Sequence, residues 1–353
     1  MSIPAEALLV GPRGRRLCLS VACALHESVW SAWLEAARHP SDRRAHADLV
    51  AVLHDVDPTP VRSWASVESF TGPVGDGVDA AMYWQPPDDQ DVVAARPDVV
   101  DALRPIAAAV AAAPGAAWWS APLDREHQRY ADLHDPGVAA DPADADPPGV
   151  QLAAWRARTV EDDVRARATR PQDPAANHGG EWWSVPASSG LFRTTRALPA
   201  SGSVRLLWEE DGLGQEEATL WAVHLTRSPR VYEVDGPAAW VELVRRYPLD
   251  VSWGRRHDWF KVTGRVGTWL IPDWRAVGQD WDAVHLTVLG YLGTATRALP
   301  LDDDAATLLG GFSPDETYWL TDAVEVDLTR PEHWTMTVGA GTADVEWQNR
   351  AAE

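Results

Sequence analysis

The stretch "GSVRLLWEEDGLGQEEATLWAVHLTRSPRVYEV", residues 202–234, decides the fold class because the hydrophobic period changes there. β-rich runs at 203–209, 218–226 and 230–234 are punctuated by "DGLG" and "SPR". Runs of this length between turn residues read as antiparallel strands. Directly after them, "DGPAAWVELVRRYP" (235–248) supplies every signal of a compact helix. Asp235 or Gly236 is the cap, Pro237 opens the first turn, and Trp240, Leu243, Val244 and Tyr247 share one face before Pro248 stops it. Strand-like text returns at 266–271, 283–292 and 334–347, so residues 150–353 are expected to form an α+β unit with an antiparallel sheet.

On the N-terminal side the period is helical. "ESVWSAWLEAARH" (27–39) spaces Val29, Trp33 and Ala36 on one face, and "SDRRAHADLVAVLHDV" (41–56) does the same with Ala45, Leu49, Val52 and Leu53. "RPDVVDALRPIAAAVAAAPG" (96–115) repeats the pattern, with Pro105 expected to bend it. Residues 1–131 are therefore read as a mainly helical unit. Residues 132–149, rich in Asp and Pro and poor in large apolar groups, read as a linker or exposed loop, followed by a helix near 150–168.

Composition narrows the function classes. The chain has 353 residues, more than one core usually supports, and 45% apolar with 24% charged residues is ordinary for a globular protein. A net charge of -21 repels nucleic-acid phosphates and anionic lipid, so neither nucleic acid nor membrane is an expected partner. Local basic runs, "RRLC" at 15–18 and "RRHD" at 255–258, still leave room for a small anionic ligand, because the field in a cleft follows its own lining. Lys261 is the only lysine, which leaves one candidate for any lysine chemistry. Two cysteines, Cys18 and Cys23, in an apolar run are no disulfide framework and point to a cytoplasmic setting.

Twenty tryptophans against four phenylalanines are the most unusual feature. Scattered singly from Trp30 to Trp347, they are expected mainly in the core. "WWSAP" (118–122) and "WWSVP" (182–186) are near-repeats in which one indole could enter a core while its neighbour lines a groove.

Candidate chemistry centres on "RRHDWFK", residues 255–261. His257 beside Asp258 could serve as acid or base, and Arg255 and Arg256 could grip a phosphate or carboxylate. This reading takes "DWFKVTGRVGTWLI" as a hairpin, with Asp258 near a strand end. His285, in "DWDAVHL", is a further ligand-binding candidate, although the spacing favours a core histidine with one nitrogen satisfied. No metal-ligand spacing, phosphate loop, nucleophile elbow or dinucleotide fingerprint occurs, so no metal site and no cofactor is indicated.

The succession "GEWWS", "TTRALP", "RVYEVDGPAAW", "RRHDW", "DWDAVHLTVLGYL" and "SPDETYWLTD" resembles a functionally uncharacterised family of hypothetical proteins from high-GC bacteria. That likeness covers most of the chain and implies a soluble, cytoplasmic protein without implying a mechanism. The second unit is also similar to ADP-ribosyltransferases through "LFRTT". The similarity implies that Arg193 holds a phosphate of the dinucleotide. The pattern then departs from that family: no Ser-Thr-Ser follows, and Glu325-Val-Asp327 and Asp344-Val-Glu346 are not its acidic motif. The expectation is a protein with a pocket for a small anionic or nucleotide-like ligand, of transferase or hydrolase type. The alternative is a non-catalytic binding or scaffold protein using aromatic surface.

Overall fold

A computed structural model describes residues 3–133, 146–187, 189–212, 214–338 and 345–350. The N-terminal part is helical: α1 (Ala5–Val10), α2 (Pro12–Leu25), α3 (Glu27–Arg38), α4 (Arg43–Asp55), α5 (Thr71–Asp79), α6 (Asp89–Ala94) and α7 (Pro97–Ala111). Then come β1 (Gln128–Leu133), α8 (Pro148–Thr169), β2 (Arg193–Leu198), β3 (Gly202–Ser203), α9 (Val204–Leu207), β4 (Glu217–Leu225), β5 (Val231–Val234), α10 (Pro237–Arg246) and β6 (Pro248–Asp250). The chain continues through α11 (Ser252–Thr263), β7 (Thr268–Pro272), α12 (Trp274–Asp280), β8 (Ala283–Leu286) and α13 (Val288–Thr294). It closes with β9 (Leu299–Pro300), β10 (Ala305–Thr307), β11 (Thr317–Trp319), β12 (Val324–Val326), β13 (Glu332–Val338) and β14 (Val345–Arg350). This is an α+β fold, helices first and sheet after.

The main sheet runs β14-β13-β4-β1-β2-β11-β8-β5, with β12 also on β4 and β3 on β2. Its pairs are antiparallel except β5 with β8. A smaller sheet runs β6-β7-β10-β9. β1 is central to the main sheet although it follows the helical part in sequence: Tyr130 is opposite Thr194 on one side and Trp221 on the other. One buried apolar cluster extends from Ile3 to Leu320, so helices and sheet share a core. Trp33, Trp119, Trp208, Trp240, Trp259, Trp269, Trp274 and Trp319 are fully buried within the fold, as the composition suggests. In each near-repeat one indole is buried, Trp119 or Trp182, while Trp118 or Trp183 is half-buried.

Three local expectations change. The hairpin read into 258–271 is instead helix α11 followed by β7. Its inner face carries Arg255, His257 and Asp258 beside Trp259 and Val262, so polar residues with buried partners mask the apolar stripe. Gly264, at φ 66°, ends the helix in the left-handed region. The run at 203–209 yields only β3 before turning into α9, because Gly202 adopts φ 77°. The run at 283–292 splits: β8 stops at Leu286, and Thr287 caps α13 by accepting from Gly290 N at 2.9 Å. Every residue of both pieces is buried, and a continuous apolar run cannot reveal such a switch.

Candidate functional site

The sequence-predicted cluster on α11 fastens a strap of chain. Arg255 is 2% exposed; its Nε donates to Trp183 O at 3.1 Å and its Nη2 pairs with Glu181 at 2.8 Å. Asp258 accepts from Gly180 N at 2.7 Å and from Lys261 Nζ at 3.1 Å. His257 Nδ1 lies 3.2 Å from Pro174 O, and burial, with the charges of Arg256 and His178, lowers its pKa. Arg256 lies over the Trp253 ring and donates to Pro171 O. All four side chains thus engage residues 171–183 or their own helix, although His257 Nε2 and Arg256 Nε are buried without a hydrogen-bond partner among the described residues.

Arg193 and His285 lie elsewhere in the main sheet, on β2 and β8, the two strands that flank β11. Tyr318 is opposite Arg193 in the β2–β11 pair, while Thr317 is opposite His285 in the β8–β11 pair, so the two side chains leave opposite faces. Arg193 pairs with Glu316 at 3.2 Å and approaches Glu209 at 4.0 Å. His285 is held by Glu233 at 2.6 Å and Asp315 at 3.4 Å. Among the described residues none of these partners belongs to α11, so the structure does not bring Arg193 together with Arg255 and His257. Asp282 takes separate partners, Arg227 and Arg230, in keeping with its odd spacing from His285.

A cavity of about 470 Å³ lies instead against the start of α2, the end of α5 and residues 85–95. Only Val262 of α11 reaches it. Pro12 occupies the first turn of α2, and α1 crowds the next: a Cβ on Gly14 would stand 2.0 Å from Leu8 O. This close approach sets Arg13, Arg15 and Arg16 along one wall. Arg13 is buried, paired with Asp91 and donating to Gly77 O at 3.0 Å. Arg16 reaches Asp91 at 3.2 Å and Asp88 at 3.3 Å. These four charges offset one another.

Arg15 does not share in that balance. Its Nη1 donates to Leu9 O at 3.0 Å and Val10 O at 3.3 Å, and Arg297 Nη1 donates to the same Val10 O at 2.6 Å. Among the described residues no carboxylate lies within 4.0 Å of either guanidinium. Burial lowers the pKa of both arginines, and the neighbouring cations Arg297 and Arg13 add to the effect at Arg15 despite the more distant Asp91. Asp76 and Asp79 also line the cavity, and burial together with Asp76 raises the Asp79 carboxyl although that side chain keeps solvent contact. Pro12, Met82, Pro86, Pro87 and Val92 supply apolar surface.

The basic run at 15–18 is therefore the legible part of this site, while Asp76 and Asp79, which line the cavity, and Arg297, which lies behind Arg15 outside the lining, carry no sequence signal. Cys18 and Cys23 are free thiols nearby in the same helix, and burial pushes each up to about 12, far from a nucleophilic thiolate. No cluster of metal-ligating side chains occurs among the described residues, and no helix there is long and apolar enough to cross a membrane. Comparison with family models, with characterised proteins and with solved structures finds no match to this chain, so the site is read from its own chemistry.

Proposed function

We propose that the chain binds a small anionic, nucleotide-like molecule in the cavity at the start of α2. The observation that carries this reading is Arg15, which lines the cavity and has, among the described residues, no carboxylate within 4.0 Å; Arg297, outside the lining, shares its Val10 carbonyl and adds positive charge behind it. A phosphate or carboxylate would supply the missing charge through hydrogen bonds of the strong, charge-assisted kind. The volume of about 470 Å³ suits a small ligand, and the proline and methionine walls suit its apolar body. Asp76 and Asp79 face a ligand's hydroxyl or amino groups. Chemistry on the bound molecule would be hydrolysis or transfer, with Asp79 as the base that its raised pKa favours.

Thermal unfolding with AMP, NAD and ribose 5-phosphate tests the proposal. A ligand at one hundred times its dissociation constant stabilises by about 2.7 kcal/mol, a readily measured shift in Tm. Arg15→Ala should abolish the shift while leaving the unliganded Tm nearly unchanged. A flat response to all three compounds at millimolar concentration overturns the reading.

A further inference from the structure

A second cavity, about 570 Å³, has a different character. Its floor is the pair Arg205 and Glu209, one helical turn apart and joined by two parallel hydrogen bonds, Nε to Oε2 at 2.8 Å and Nη2 to Oε1 at 2.9 Å. Arg205 is further fixed by donating from Nη1 to Ala131 O at 2.9 Å, and its backbone N–H donates to Thr195 Oγ1 at 3.1 Å. Behind the floor, Arg193 lies between Glu209 and the fully buried Glu316. Two cations and two anions therefore cancel in a network in which Glu316 is fully buried while Arg193 keeps some solvent contact. Such networks seldom add stability over apolar packing of the same volume, so stability does not account for this one at the base of a cavity. They do hold donors and acceptors in fixed positions.

The walls are aromatic and apolar. Trp84, half-buried, and Trp347 both line the cavity, with Met336 between polar contributions from Gln215. We infer that this cavity is a second binding site, for a neutral polyhydroxylated ligand of the carbohydrate class. An indole face covers the C–H surface of a sugar ring, while Glu209 retains lone pairs for ligand hydroxyls and the guanidinium beside it offers donors. A phosphate is disfavoured because the single lining arginine, Arg205, is already tied to Glu209 by two hydrogen bonds. Glu209 is already shared by two guanidiniums, which leaves its remaining lone pairs for hydroxyl donors rather than for a further cation. The site uses none of the arginines assigned to anion binding.

Saturation-transfer NMR on the full chain decides the matter, with glucose, N-acetylglucosamine and maltose as sugars, spermidine as the cation and AMP as the anion, each at about 10 mM. At least one sugar should receive saturation. Trp84→Ala should weaken its binding about tenfold or more, Trp84→Phe should restore most of it, and Arg15→Ala should leave it unchanged. Circular dichroism and Tm establish that each variant is folded. Absence of transfer to all three sugars overturns the inference. So does sugar binding that survives Trp84→Ala, or spermidine competing the sugar away. Because Arg15→Ala affects only the other cavity, failure here and failure of the anion reading are told apart.

Discussion

Arg193 on β2 and Glu316 at the entry to β11 form an ion pair, 3.2 Å from Nη1 to Oε1, in which the carboxylate has no exposed surface. Burial raises the Glu316 carboxyl pKa, and the guanidinium opposes that rise. Removing the cation leaves a buried acid with only the Ser313 N–H, 3.0 Å from Oε2, as a donor. Arg193→Met is expected to cost about 3 kcal/mol, the lower end for a broken buried pair because the arginine retains some solvent contact. Arg193→Met with Glu316→Leu should recover much of the loss. Urea unfolding of the two variants reads this directly, and equal midpoints for both would contradict it.

His285 makes stability depend on pH. Burial alone would depress its pKa, but the hydrogen bonds and charges of Asp315 and Glu233 outweigh burial and hold it at about 9. The folded value lies above the ordinary value near 6.5. The stabilisation is therefore complete below about pH 6.5 and disappears as pH rises through about 9, amounting to roughly 3 kcal/mol. His285→Gln should flatten the stability profile between those limits. A wild-type profile with no fall from pH 6.5 to 9 would show that the imidazolium is not held as described.

Helices with a clean apolar stripe were legible from sequence: α10 begins at Pro237 and buries Trp240, Leu243 and Val244 as its spacing predicts. α11 was not, because its inward residues include a charged pair partner and an imidazole whose binding partners, Glu181 and Pro174, are 74 and 83 residues away in the chain. The same reason hid the anion site. Arg15 and Arg297 are separated by almost the whole sequence and meet only because α1 and α13 pack together. Composition leaves room for a local cationic hollow in an acidic protein, but tertiary contact alone chooses which arginines lose their counterions.

Glu210 ties the helical part to the sheet. It accepts from Tyr83 at 2.6 Å and Tyr291 at 3.0 Å through one oxygen, and from the backbone N–H groups of Gly311 and Phe312 through the other. Burial pushes this carboxyl up to about 8 in spite of those donors. Tyr83→Phe keeps the ring stacked on Trp182 and deletes one donor. The expected cost is about 1.5–2 kcal/mol, typical of a hydrogen bond to a charged partner, and larger above pH 8 where the carboxylate form prevails. Denaturant midpoints at pH 6 and pH 9 check both the size and the sign.

Asp258 separates a structural from a catalytic role for α11. Its carboxylate holds Gly180 N and Lys261 Nζ and is 1% exposed, so Asp258→Ala strands the Gly180 donor and takes the counterion from Lys261, whose ammonium keeps His178 O at 2.9 Å. A loss of about 1–3 kcal/mol follows, chiefly from the orphaned backbone donor. Because Gly180 belongs to the strap that crosses α11, limited proteolysis should open residues 171–183 in the variant before any other described segment. Ligand-induced stabilisation, which depends on Arg15 and Arg297, should persist with an unchanged dissociation constant. Loss of ligand response in a variant that is still folded would return Asp258 to the functional site, whereas intact binding with a cleaved strap confirms that α11 spends its polar residues on holding the chain in place.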